Sequence, residues 1–207
     1  FSSASNMGDY TNRVEMLRGV MGFISRSTEE YVLLSDCNEV MNIDIDELMD
    51  FHADNNADVS IVYQHGVLPK LDNIMELQMQ DGGRVTQVAL SPNTTGEVDY
   101  SLNMILMKRS LLQRLINEAV SLNHESFERD IIQGNTEKLR IFGFAAKGFT
   151  RTIDSLASYF KVSMDLLNPQ NCAQLFDADR PIYTKVRDDM PAIYGLGSTV
   201  KNSLIAD

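Results

Sequence analysis

Residues 31–48 read YVLLSDCNEVMNIDIDEL. Tyr31 to Ser35 is a continuous apolar run, short enough for a strand buried on both faces. It follows a helical pattern from about Asp9 to Ile24, in which Val14, Leu17, Met21 and Ile24 recur on one stripe. A helix feeding a buried strand predicts a central strand of a sheet covered by helices. Asp44 and Glu47 have the spacing of a capping box, which predicts a short helix through Phe51. The polar residues between Ser35 and Asp44 thus follow the carboxyl end of a strand, where open α/β sheets place their ligands.

Further along, Val59 to Tyr63 is another apolar strand, and His65-Gly66 looks like a turn. Met75, Leu77 and Met79 alternate with Glu76, Gln78 and Gln80, the period of a half-exposed strand. Asp81-Gly82-Gly83 supplies a turn, and Val85 to Leu90 returns as a hairpin. Ser101 to Met107 reads as a strand, followed by a helix marked by Leu111, Leu112, Leu115, Ile116 and Ala119. A short helix at Phe127 to Ile132 precedes a strand at Leu139 to Ala146. From about Ile153 a helix carries Leu156, Phe160, Met164 and Leu167 on one stripe and stops at Asn168-Pro169. Beyond it no regular period is visible to about Thr199, and the final VKNSLIAD begins something β-like. The fold class is α/β: a mixed sheet with helices on both faces.

Composition bounds the function. The chain has 207 residues, 43% hydrophobic and 23% charged, which suits a globular domain rather than a disordered one. Lys plus Arg number 18 against 29 Asp plus Glu, a net charge of −11. Phosphate-backbone recognition needs a basic surface, so no nucleic-acid partner is expected, and no anionic membrane surface. No apolar run is long enough to span a bilayer. Cys37 and Cys172 form no regular framework, which suits a reducing cytoplasm.

Few residues suggest chemistry by themselves. Residues 27–69 hold ten acids and no Lys or Arg, readable as a cation surface or as a solvated acidic face. Asp44, Asp46 and Glu47 could supply a carboxylate pair for acid–base work, while a helix cap explains Asp44 and Glu47. Cys37 could be a nucleophile or a buried thiol, and nothing supplies a base. His52, His65 and His124 lack metal-ligand spacing. The methionines at 75, 79, 104 and 107 fall on strand faces as core filling. Gly195-Leu196-Gly197 lacks the strand and helix of a phosphate loop. Asp188-Asp189 has no identifiable partner.

Taken in order, YVLLSDCNEVMNIDIDEL, SFERDIIQ, the Gly148 to Met164 region with MDLL, RPIYTKV and VKNSLIAD resemble the glucose-1-phosphate adenylyltransferase (ADP-glucose pyrophosphorylase) family. Within it they resemble the GlgD-type subunit of glycogen synthesis. The resemblance implies a Rossmann-like (GT-A-like) nucleotidyltransferase domain lacking its N-terminal part, over residues 1–167. An extended linker over 168–199 and the start of a left-handed β-helix at 200–207 would follow. The family's glycine-rich nucleotide loop would lie upstream.

Catalytic members join ATP and glucose 1-phosphate into ADP-glucose and pyrophosphate, using Mg²⁺ held by two aspartates and a lysine for the sugar phosphate. Asn38 stands at the first aspartate, in the position of a Gly-Asp-His-Ile-Tyr motif. Thr152, in TRTIDS, stands at the second, and Ser91, in VALSP, at the lysine. The implied site is therefore degenerate, with no catalytic residue and no metal of its own. Asp36, Glu39 or Asp154 would be the alternative metal ligands. Ser101, Asn103 and Asp130 match a sugar-contacting serine, its neighbouring glycine and a segment with Phe127 beside the site. The implied partner is a catalytic ADP-glucose pyrophosphorylase subunit in a heterotetramer, with glucose 1-phosphate, ATP or ADP-glucose as ligands of the relic site. An active nucleotidyltransferase with an altered metal site, and a sugar-nucleotide sensor or scaffold, are the rival readings.

Overall fold

A computed structural model of the chain describes residues 12–72, 74–91, 94–183 and 195–201. They divide into two units. The first comprises residues up to Cys37 with Ile45–Ala146, and the second comprises Asn38–Asp44 with Lys147 onward.

The first unit is built on one long strand, β6 (Glu97–Lys108). Along one edge it pairs antiparallel with β3 (Val59–Val67), which in turn pairs parallel with β7 (Ile141–Ala145). Along the other edge it meets β1 (Tyr31–Leu34) near its end and β4 (Met75–Met79) at Tyr100. The alternating apolar positions at 75, 77 and 79, with glycines able to take positive φ at 82 and 83, give the hairpin of β4 with β5 (Val85–Leu90). The sheet order is β5-β4-β6-β3-β7, with β1 beside β6.

One sheet face carries Val59, Ile61, Ile105, Met107 and Ile141. Helix α1 (Arg13–Arg26) lays Val14, Leu17 and Ile24 on it, and Asn12 caps that helix by accepting the Glu15 amide. Helix α3 (Arg109–Ser121) adds Leu112, Leu115, Ile116 and Ala119. The stretch Phe127–Ile132, a π-helical turn, adds Phe127, Ile131 and Ile132. The opposite face receives α2 (Ile45–Asp54), with Leu48 fully buried and Phe51 edge-on to Phe142 and Phe144. Helix α2 closes with Asn56 at φ 47, the Ala57 amide reaching the His52 carbonyl and the Asn56 amide that of Ala53. Helices thus lie on both faces of a mixed sheet, as the sequence predicts.

The second unit is small. Strand β2 (Glu39–Val40) pairs with β8 (Arg151–Thr152), while α4 (Leu156–Asp165) and α5 (Pro169–Leu175) enclose Phe149, Val162 and Leu175. The Asn42 amide ties the start to the end of this unit by donating to the Leu175 and Arg180 carbonyls, at 2.9 and 2.8 Å.

Several expectations need correction. β1 is half-buried and, among the described residues, pairs only with β6, so here it is an edge and not a central strand. His65 and Gly66 are not a turn. They continue β3 because Asp99 and Val98 of β6 pair with them. The α4 stripe faces outward: Leu156, Phe160 and Met164 are exposed, and Val162 is the buried residue. Within 168–199, expected to be extended, Pro169–Leu175 is helical, because Asn168 caps it and proline suits a first helical position. Cys37 is exposed, not buried. Val200 and Lys201 have no regular structure, and the rest of the expected β-helix start, with Asp188 and Asp189, lies outside the described residues.

Candidate functional site

The turn after β1 leads through Cys37 and Asn38 into β2. There the ladder places Glu39 opposite Thr152, and the Ile153 amide donates to the Asn38 carbonyl at 2.8 Å. The Thr152 hydroxyl donates to the Glu39 carboxylate at 2.8 Å, across 113 residues of sequence. Of the two positions read as replaced metal aspartates, Thr152 lies on the ladder and Asn38 one residue before it; since successive strand residues face opposite sides, the side chain that meets Thr152 is that of Glu39.

This trio does not suit Mg²⁺. The ion prefers hard oxygen ligands at octahedral geometry, with carboxylates to offset its charge. Asn38 and Thr152 offer a neutral amide and a hydroxyl, and the one acid, Glu39, already accepts the Thr152 hydroxyl. Among the described residues no three His, Cys, Asp or Glu side chains converge in a metal-binding group. Asp154 is engaged at the start of α4. Its carboxylate accepts the Ser155 hydroxyl at 3.0 Å, and its amide donates to Ser158 at 3.0 Å within the cap of that helix.

Asp36 belongs to the first unit, just past the carboxyl end of β1. Arg13, the first residue of α1, grips it in an ion pair and donates to Glu128 at 2.9 Å, with the guanidinium 5.7 Å from the Phe127 ring centroid. The Arg13 side chain is 15% exposed and that of Glu128 9%, so the ion pair between them is largely shielded from water. A carboxylate already neutralised by a guanidinium is a poor metal ligand. Sequence reasoning missed Arg13 and Glu128. An acid set among Phe127, Ile131 and Ile132 was the available signal, because a buried carboxylate calls for a cation.

Ser101 and Asn103 come together at a bulge in β6. Val62 of β3 pairs with Met104 but Tyr63 with Ser101, so Leu102 and Asn103 are extra residues. Ser101 is fully buried and accepts the Asn103 amide at 2.9 Å. Asn103 takes φ 53, and its Oδ1 is buried with no hydrogen-bond partner among the described residues. Opposite, burial and the charge of Asp99 raise the pKa of the Tyr63 phenol, which stays protonated. Asp130 instead accepts the Glu125 and Ser126 amides at 3.1 and 3.0 Å, bracing its own turn. Ser91 follows β5 at φ 42, exposed, its amide on the Ile74 carbonyl.

No protein-family profile matches the chain. It is 28% identical over 187 residues to the glycogen biosynthesis protein GlgD of Bacillus subtilis (strain 168), covering 90% of this chain and 45% of that protein. It is 22% identical over 187 residues to the glucose-1-phosphate adenylyltransferase of Thermosipho africanus, covering 89% of this chain and 45% of the enzyme. The same-named protein of Clostridium acetobutylicum is 23% identical over 189 residues, 89% of this chain and 50% of its own length. The chain spans about half the length of the curated relatives it matches. These likenesses bear out the family reading made from motif order.

Proposed function

We propose that this chain, a relative of GlgD and of the glucose-1-phosphate adenylyltransferases, belongs to a non-catalytic or weakly catalytic regulatory subunit in glycogen biosynthesis. It would work in the cytoplasm, assembled with a catalytic ADP-glucose pyrophosphorylase subunit as a heterotetramer. In the catalytic reaction a phosphate oxygen of glucose 1-phosphate attacks the α-phosphorus of ATP, and pyrophosphate leaves. Mg²⁺ offsets the crowded phosphate charge in such a transfer.

The observation that supports the reading is the neutral chemistry at the two positions where the family resemblance calls for metal carboxylates: Asn38 carries an amide, and Thr152 carries a hydroxyl that is already given to Glu39 across the ladder of β2 with β8. Two further observations weigh against an active enzyme with substitute ligands: Arg13 neutralises Asp36, and Asp154 is bound into the α4 cap. A relic sugar site is supported at the β6 bulge, where the Asn103 carbonyl oxygen is an unsatisfied acceptor for a sugar hydroxyl. Ligand there changes the partner's activity only if it binds two states of the assembly with different affinity.

The test is Mg²⁺-dependent ADP-glucose formation by the intact protein, alone and mixed with a catalytic sister subunit. Silence alone with altered rate or effector response in the mixture is expected. Robust turnover alone would overturn the proposal. The triple variant Asn38→Asp, Ser91→Lys, Thr152→Asp should recover measurable turnover.

A further inference from the structure

Asp81-Gly82 is the one Asp-Gly or Asn-Gly pair in the sequence. It forms the tip of the hairpin of β4 with β5. There the Gly83 amide donates to the Gln80 carbonyl at 3.0 Å, and the Gln80 amide to the Arg84 carbonyl at 2.9 Å. These bonds close the turn but leave the Gly82 amide unused: its N–H has no hydrogen-bond partner among the described residues. Asp81 is exposed, and its carboxylate makes no hydrogen bond or ion pair among the described residues. Gly82 takes φ 89, and no heavy atom lies within 4 Å of where its Cβ would stand. Nothing screens this nitrogen from the carboxyl group beside it, and glycine brings no side chain to block the approach.

The Asp-Ser pair at 154–155 is the contrast. The Ser155 amide donates to the Ser158 hydroxyl at 2.9 Å, and the Asp154 carboxylate accepts the Ser155 hydroxyl at 3.0 Å. Both groups are held in the cap of α4. The hairpin tip is also a fastening point. The Gly83 carbonyl accepts the Gly143 amide at 2.8 Å, and Arg84 bridges to Phe142, so the turn tethers the hairpin to β7.

We propose that Asp81 is a site of spontaneous isomerisation to isoaspartate in the folded protein, and that the change releases the hairpin tip from β7. The Gly82 nitrogen attacks the Asp81 carboxyl carbon, Cγ. The N–Cγ bond closes a succinimide ring, the Cγ–OH bond breaks, and the amide proton leaves with that hydroxyl as water. A water molecule then reopens the ring. Attack at Cγ restores aspartate. Attack at the main-chain carbonyl leaves Gly82 joined through the side chain, with the former main-chain carbonyl as a free carboxylate. Mass and net charge return to their starting values, and no oxidant or cofactor is consumed. The turn backbone is now longer by one methylene, which shifts Gly83 away from the hydrogen bond it accepts from Gly143. The exposed α-carboxylate is the group that an isoaspartate-directed carboxyl methyltransferase takes as substrate. The site is independent of the regulatory reading above, and its failure would leave that reading unchanged.

The test is peptide mapping of the intact protein after prolonged incubation at neutral pH, once folded and once in urea. Isoaspartate is read by such a methyltransferase and by electron-transfer fragmentation. Asp81 should isomerise at nearly the same rate in both states. Asp154 should isomerise about tenfold or more slowly when folded, the worth of the two hydrogen bonds that hold it. The aged protein should unfold at lower urea than the fresh one. Asp81→Glu, an exposed change that cannot close the same ring, should keep its midpoint on ageing. Protection of Asp81 as strong as that of Asp154 overturns the proposal. So does an unchanged midpoint once position 81 has isomerised, or an equal fall in Asp81→Glu.

Discussion

Replacing Arg13 by alanine removes a cation held by two acids at once, Asp36 and Glu128. Glu128 is the costly one, because its side chain is 9% exposed and would keep its charge without a partner. Breaking a buried pair from one side costs about 3–5 kcal/mol. Asp36 is 36% exposed, so water screens it and its share is about 0–1 kcal/mol. The contact with the Phe127 ring adds about 0.5–1 kcal/mol. Partial relaxation of Glu128 toward water offsets some of this, and a net loss of about 3 kcal/mol is expected. For a domain of this size that is a fall of about 6–12 °C in Tm.

The assay is urea unfolding of the intact protein, with Arg13→Met, Glu128→Met and the double variant completing a cycle. The double variant should be more stable than Arg13→Met, since replacing both partners removes the stranded charge. A loss under about 1 kcal/mol for Arg13→Ala, with additive changes in the cycle, would refute the reasoning, because exposed pairs behave that way. The variant also probes function. Mg²⁺-dependent turnover appearing in Arg13→Ala alone would mean that Asp36 is a masked ligand, against the regulatory reading.

Burial holds the pKa of His52 below its ordinary 6.5, with Asp58 pulling the other way and Lys108 adding to the depression. The unfolded chain therefore takes up a proton that the folded one refuses, and stability should fall as pH drops below about 6.5. His52→Gln should flatten that slope between pH 7.5 and 5 in denaturant titrations. Gly83 stands at φ 82, and an added Cβ would lie 3.1 Å from the Gly143 carbonyl oxygen, whereas Gly82 at φ 89 faces open space. Gly83→Ala should cost about 2–3 kcal/mol and Gly82→Ala about 1 kcal/mol, read from denaturation midpoints.

Local signals predicted what local physics determines. The alternation at Met75 to Met79 and the glycines at 82 and 83 are enough for a hairpin, and the apolar stripes of α1 and α3 match the faces they bury. Two expectations failed where distant residues decide. His65-Gly66 looks like a turn because nothing nearby announces that residues 97–99 will pair with it. The stop at Asn168-Pro169 holds, since α4 ends at Asp165, and the same dipeptide starts α5 by a local cap. Tyr31 to Leu34 is apolar enough for a strand between two others, but strand neighbours are a property of topology and not of the run itself. The acids at 27–69 do not form one solvated face: Glu30, Asp36, Asp44 and Asp58 each meet a Lys or Arg, drawn from as far as position 180. At the candidate site the neutral residues Asn38 and Thr152 were legible through resemblance. The clamp of Arg13 on Glu128 was not, because it joins residues 115 apart.

The ladder of β2 with β8 also bears on the order in which the chain can mature during synthesis. Glu39 must wait for Thr152, 113 residues later. At ordinary elongation speeds this is roughly 6 to 23 s on the ribosome, while the sheet strands from β3 to β7 emerge and pair. Throughout that interval Asn38–Asp44, which interrupts the first unit between Cys37 and Ile45, lacks its β8 partner. A nascent chain halted before Arg151 would display that segment, with its neighbouring thiol at Cys37, to proteases and chaperones. Limited proteolysis of stalled chains should therefore cut between 38 and 44 until β8 has left the tunnel, and not afterwards.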